Sequence, residues 1–173
     1  MKVLLNFIFV IFANTFQLID TCIRYNDRPF YVSGRIEADQ KVEIYNAINE
    51  YNRFSYFYPA LLETNNKEKS HIRIQYSVGD LMGGLTMSAV TNAGGYFELA
   101  KSVISFSAKL KGNTLQCVVL HELLHSQMLY HNDIPNSLMN YSVKVNQMGD
   151  IIEEAEPCKL NDDDISGLIY KRK

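Results

Sequence analysis

Apolar residues recur every three to four positions across residues 36–54 (IEADQKVEIYNAINEYNRF), where Val42, Tyr45, Ile48 and either Tyr51 or Asn52 are separated by acidic and polar residues. That spacing predicts an amphipathic helix. The period falls to two at residues 71–77 (HIRIQYS), where Ile72, Ile74 and Tyr76 alternate with Arg73 and Gln75. A strand with one buried face has this pattern. Gly79, Gly83 and Gly84 then punctuate a loop, and residues 85–90 (LTMSAV) predict a short strand ended by Asn92, Gly94 and Gly95. Another strand is predicted over residues 96–107 (YFELAKSVISFS). Residues 22–33 alternate loosely, and Pro29, which lacks an amide hydrogen, makes that stretch either an edge strand or a split one.

The next periodic segment is more apolar throughout. Residues 114–128 predict a helix, with Asn113 as its cap and Gln116 reaching back in a capping-box arrangement. Residues 132–158 carry Asn, Pro and Gly without a sustained period and read as irregular. Asn161 caps a last helix, whose first turn holds Asp162, Asp163 and Asp164 where the helix dipole favours negative charge. No internal repeat or low-complexity segment interrupts the 173 residues, and 47% apolar content suits one domain with its own core.

The N-terminal MKVLLNFIFVIFANTFQLI has one lysine before an apolar stretch, as secretory signal peptides do. Cleavage is expected between residues 13 and 21, leaving residues 22–173 as a single domain. An uncleaved segment anchoring the chain in a membrane is the alternative. Seventeen basic against nineteen acidic residues, without a long run of either sign, give no footprint for a nucleic-acid backbone. Three cysteines in an oxidising compartment imply one pair and one remainder. Cys117 stands in the apolar run LQCVVLHELL, where burial as a free thiol is the simplest reading. Cys22 and Cys158 are then the candidate disulfide, although the sequence leaves the connectivity open.

Three of four histidines, His121, His125 and His131, fall within eleven residues. In His121-Glu122-Leu123-Leu124-His125 the four-residue step puts both imidazoles on one helix face, where they could share a zinc ion. Glu122 would then lie beside a water on the metal and could serve as its general base. Against this, a five-residue HExxH match also arises occasionally from ordinary surface or core residues. His131 supplies a third imidazole if the chain turns back after the helix. Downstream, Ser137-Leu138-Met139-Asn140-Tyr141 is a methionine-bearing turn.

Together the stretch HELLHSQMLYHNDIPNSLMNY resembles the metzincin metalloproteases, whose motif is HExxHxxGxxH followed by a methionine turn. Within that clan the step from His131 to Met139 and the C-terminal KLNDDDISGLIY are most similar to matrixin catalytic domains. The resemblance implies an α+β, zincin-like domain. Its parts would be a small mixed twisted sheet with an antiparallel edge strand, a long zinc-binding helix, a second packing helix and a C-terminal helix. It further implies one catalytic Zn²⁺ on His121, His125 and His131, Glu122 as base, and Met139 as a floor beneath the ligands. Tyr141 would either act at the zinc or simply pack. Leu85, Thr86, Met87, Ser88 and Ala89 would form the edge strand that pairs with an extended protein or peptide substrate.

Two departures from the family stand out. Met128 occupies the place of the family's glycine, so whether the chain can turn there decides whether His131 reaches the metal. Residues 77–98 contain no histidine and only Asp80 and Glu98 as acids, so the structural zinc and calcium ions of matrixins are not implied. The expected molecule is a secreted monomeric zinc endopeptidase without a nucleic-acid partner. Two alternatives remain: a two-histidine-one-carboxylate hydrolase using Glu153 or Glu154, and a non-catalytic binding domain on the same scaffold.

Overall fold

A computed structural model describes residues 28–56, 59–78, 83–93, 96–141, 155–156 and 158–170. The apolar N-terminal stretch, Cys22, Glu153 and Glu154 lie outside the described residues. In chain order the elements are β1 (Arg28–Val32), α1 (Ala38–Asn52), β2 (Leu61–Glu63), β3 (Ile72–Tyr76), β4 (Gly84–Ala93) and β5 (Tyr96–Phe106). They continue with α2 (Gly112–His125), a 3-10 turn (Leu138–Asn140) and α3 (Asp162–Tyr170).

The five strands form one sheet in the order β2-β1-β3-β5-β4. All neighbours are parallel except β4, which runs antiparallel to β5 along the sheet edge. Phe30, Val32, Ile72, Ile74, Ile104 and Phe106 are buried while their sequence neighbours on β1 and β3 are half-exposed. Among the described residues the helices cover one face of this largely parallel sheet, a two-layer α+β arrangement.

Helix α1 follows from its sequence but with its buried face rotated from the one expected. Ile44, Ala47, Ile48 and Tyr51 are buried, whereas Val42 is 55% exposed. The i, i+3, i+4, i+7 spacing still holds, now counted from Ile44. Helix α2 is buried on nearly every side, from Thr114 to Leu124, because α1 packs on one side of it and β4 and β5 on another. A mostly apolar segment is what such a central position demands.

Several expectations are corrected here. β1 is an interior strand, paired with β2 and β3, in spite of Pro29. The proline is tolerated because β1–β3 pairing starts only at Phe30 and Ile72, so its missing amide falls before β3 begins, while its carbonyl still accepts from the His71 amide at 2.7 Å. β2 was not foreseen. Its three residues are too short for a period, and Asn52 from α1 holds Leu61 by two side-chain bonds, at 2.9 Å to its carbonyl and 2.8 Å from its amide. β4 extends beyond residues 85–90, to Gly84–Ala93, because it follows β5 through an irregularity at Ala89 and Val90. At the start of α2 the cap position is Lys111, with no side-chain cap, so Asn113 does not cap. Gln116 instead donates to the Cys158 carbonyl at 3.4 Å.

The disulfide is also corrected. Cys117 bonds to Cys158, with Cα atoms 5.1 Å apart, so the expected Cys22–Cys158 pair does not form and Cys117 is not a free thiol. Cys117 is buried as expected, but the segment carrying Cys158 is laid against α2. The Thr114 hydroxyl accepts from the Ala155 amide at 3.2 Å, and Glu50 of α1 accepts from the Leu160 amide at 3.1 Å. Among the described residues no helix is long and apolar enough to cross a membrane.

Candidate functional site

His121 and His125 occupy the last turns of α2, which ends at His125 instead of continuing to residue 128. Its end is a complete Schellman motif. The Met128 amide donates to the His125 carbonyl at 2.9 Å, and the Leu129 amide donates to the Leu124 carbonyl at 3.2 Å. Met128 takes the left-handed conformation this requires, at φ 64°. The chain therefore turns back at Met128 in place of continuing as helix. Buried Arg28 of β1 closes the same end, donating from Nη1 to the Ser126 carbonyl at 3.0 Å. A cation there opposes the negative end of the helix dipole.

That reversal brings His131 to the helix. Its Nε2 lies 3.0 Å from Nε2 of His121 and 3.1 Å from Nε2 of His125. The other ring nitrogens settle the protons. Nδ1 of His121 lies 2.8 Å from the Leu138 carbonyl, and Nδ1 of His125 lies 2.7 Å from the Leu129 carbonyl. A carbonyl can only accept, so each Nδ1 carries hydrogen and each neutral ring turns a bare Nε2 lone pair inward. His131 can offer a proton from Nε2 to only one of those two lone pairs. The cluster is short of protons and suited to a cation. At metal–nitrogen distances of 2.0–2.1 Å, nitrogens at tetrahedral angles would be about 3.3–3.4 Å apart. The observed spacings need to open only by a few tenths of an ångström.

Burial lowers the pKa of His121, partly opposed by the Leu138 carbonyl. For His125, burial and then the neighbouring His121 bring it down to about 4. Both effects favour the neutral, ligating form of the rings. Among the described residues these three histidines form the one group of three potential ligands close enough to hold a metal ion.

Glu122 is 5% exposed, and among the described residues its Oε2 has no hydrogen-bond partner. Burial raises its pKa to about 7, with the nearby Thr86 hydroxyl pulling the other way. A buried carboxyl one residue from a potential ligand histidine, with its proton affinity raised by burial, could serve as a base.

The methionine turn is the second support of the cluster. Met139 is 1% exposed within the turn, and the Leu138 carbonyl orients His121. The turn itself hangs on Asp164, the third residue of α3. That carboxylate accepts from the Ser137 hydroxyl at 2.8 Å and from the Leu138 amide at 3.1 Å. It also accepts from the Asn161 amide at 3.2 Å, while Asn161 caps α3 by accepting from the Asp164 amide at 2.8 Å. The Ser137 hydroxyl in turn accepts from the Met139 amide and from the Asn132 side chain. The cap was legible as an Asn-x-x-Asp pattern; the tie to the turn was not, because it joins residues 26 and 27 positions apart.

Tyr141 packs against the edge of the apolar core, and its hydroxyl makes no hydrogen bond to a described residue. Burial raises its pKa. Leu85, Thr86, Met87, Ser88 and Ala89 all lie on β4, with Leu85, Met87 and Ala89 facing outward and Thr86 and Ser88 turned in. Thr86 donates its hydroxyl to the Glu122 backbone carbonyl at 2.9 Å, and the Ser88 hydroxyl meets that of Ser102. No protein-family model matches the chain, and no curated protein matches it at a significant level.

Proposed function

We propose that the chain is a secreted zinc-dependent endopeptidase with a metzincin-like, and more narrowly matrixin-like, catalytic domain. The observation that carries the reading is the convergence of three imidazole Nε2 atoms, with the buried carboxyl of Glu122 one residue along the same helix from His121. An all-imidazole set suits zinc, and three protein ligands leave a fourth position for chemistry. The disulfide fits an oxidising compartment.

Zinc, when bound to His121, His125 and His131, would acidify a water and polarise the carbonyl to be cleaved. The Glu122 carboxylate takes the water's proton and later gives it to the departing amine nitrogen, returning to its starting charge. Its burial keeps its proton affinity high enough for both transfers. The β4 edge opposite β5 would pair with an extended peptide through its main chain, a mode that demands little of the substrate's sequence. The Leu138 carbonyl holds the His121 ring, Met139 would form a floor beneath the ligands, and Tyr141 would either assist at the scissile carbonyl or only pack.

His131 completing the cluster favours the three-histidine centre over one using Glu153 or Glu154, and the intact Glu122 favours an enzyme over a binding domain. The test is Glu122→Gln, measured for metal content and for cleavage of a mixed peptide pool by mass spectrometry. Zinc at one equivalent should persist while hydrolysis falls by about 10²–10⁴-fold, the usual loss on removing a positioned acid–base group. Cleavage at the wild-type rate would overturn the reading.

A further inference from the structure

Gly83 and Gly84 enter β4 side by side, yet their surroundings differ. A Cβ on Gly83 would meet nothing within 4 Å. On Gly84 it would lie 2.5 Å from Cγ of Glu122, 2.6 Å from its Oε1 and 2.7 Å from Cγ1 of Val118. Such distances are not tolerated between real atoms. The space a side chain would need at Gly84 is therefore taken by the Glu122 and Val118 side chains, so a larger residue there must displace one of them. Two positions on, on the same inward face, Thr86 ties its hydroxyl to the Glu122 carbonyl. That carbonyl also accepts from the Ser126 amide at 2.9 Å, so the bond fastens the strand to the last turn of α2 without breaking the helix.

We propose that β4 sets the position of the Glu122 carboxylate, Gly84 by the space its missing side chain leaves and Thr86 by its hydroxyl, so that the element receiving the peptide also aligns the base. This rests on the peptidase reading for its consequence but not for its geometry. Gly84 and Thr86 are positioning residues, acting through Glu122. Because the outward edge and the inward face belong to one strand, a peptide bound along the edge meets a base whose place is already set relative to it. Misplacing a reacting group by about 1 Å costs on the order of 10²-fold in rate, which is the scale of disturbance an added methyl would cause here.

The kinetic test compares Gly84→Ala with Gly83→Ala in zinc-loaded protein. Gly84→Ala should keep one zinc and its KM while kcat falls by about 10–100-fold, and Gly83→Ala should match wild type. Thr86→Val should lower kcat, and Thr86→Ser, which keeps the hydroxyl, should restore it. Equal kcat for Gly84→Ala and wild type overturns the proposal. A second measurement does not depend on activity: melting temperatures of Gly84→Ala in wild-type, Glu122→Ala and Val118→Ala backgrounds. The expected result is a loss much reduced when the Glu122 side chain is absent. A loss unchanged by Glu122→Ala and relieved only by Val118→Ala would show that the glycine merely makes room for the core, and would overturn the proposal. Should wild-type protein cleave no peptide, coupling between positions 84 and 122 would still support the placement while the peptidase reading failed.

Discussion

Met128 is where one side chain runs against its backbone. At φ 64° a Cβ crowds the following carbonyl, at a cost of about 1–2 kcal/mol that glycine avoids. Glycine would also loosen the unfolded chain, which returns about 0.5–1 kcal/mol of that gain. Met128→Gly should accordingly raise stability by up to about 1 kcal/mol and leave zinc affinity intact, whereas Met128→Val should lower stability, since a β-branched residue fits this region worst. Denaturant unfolding of the three proteins checks the order. The family pattern pointed to this residue, and the sequence left two outcomes: a continued helix would have placed His131 about 240° round the axis from His125. The Schellman bonds at Leu124 and His125 decide for the turn.

Between elements, the long-range tie that matters most is from α3 to the methionine turn. Asp164 is 1% exposed and carries the Ser137 hydroxyl, the Leu138 amide and the Asn161 amide together. Asp164→Ala would strand a buried amide at Leu138, costing about 1–3 kcal/mol, and would free the carbonyl that orients His121. Outer partners of metal ligands are typically worth 10–100-fold in metal affinity. The expected result is therefore a zinc affinity weaker by about 10–100-fold in Asp164→Ala, read by competition with a chromogenic chelator, although its hydrogen bonds go to Ser137, Leu138 and Asn161 and not to the histidines. Unchanged affinity would mean that the Leu138 carbonyl holds His121 without help from α3.

For the whole molecule, the Cys117–Cys158 bridge joins residues 41 positions apart and encloses His121, Glu122, His125, His131 and Met139. Loop-closure entropy for that length corresponds to about 4 kcal/mol of stabilisation, set against the usual 2–4 kcal/mol for a native disulfide. A Cys117→Ala/Cys158→Ala double variant should lose about 2–4 kcal/mol in denaturant unfolding and, by loosening residues 155–160 against α2, unfold at lower temperature. Peptide mapping without reductant should recover residues 117 and 158 in one linked pair. Linkage of Cys22 to Cys158 would contradict the packing of that segment on α2.

Periodicity and local chemistry were sufficient for the elements whose patterns are their own: α1 between residues 36 and 54, β3, β5, the Asn161 cap of α3, and the HExxH pair on one helix face. In each, the determining contacts lie within a few residues, so the order of side chains carries the information. What depended on distant partners was not legible. Pro29 could sit inside the sheet because β3 starts one pair later, and the buried face of α1 was chosen by α2. Cys117 took Cys158 as its partner because the segment before α3 lies along α2. The histidine spacing announced a candidate centre, but its completion needed the reversal at Met128, the carbonyls of Leu129 and Leu138, and Gly84 giving Glu122 its space. Those are meetings of backbone and side chain across the fold, and they exist only once the sheet, helices and turns have been packed together.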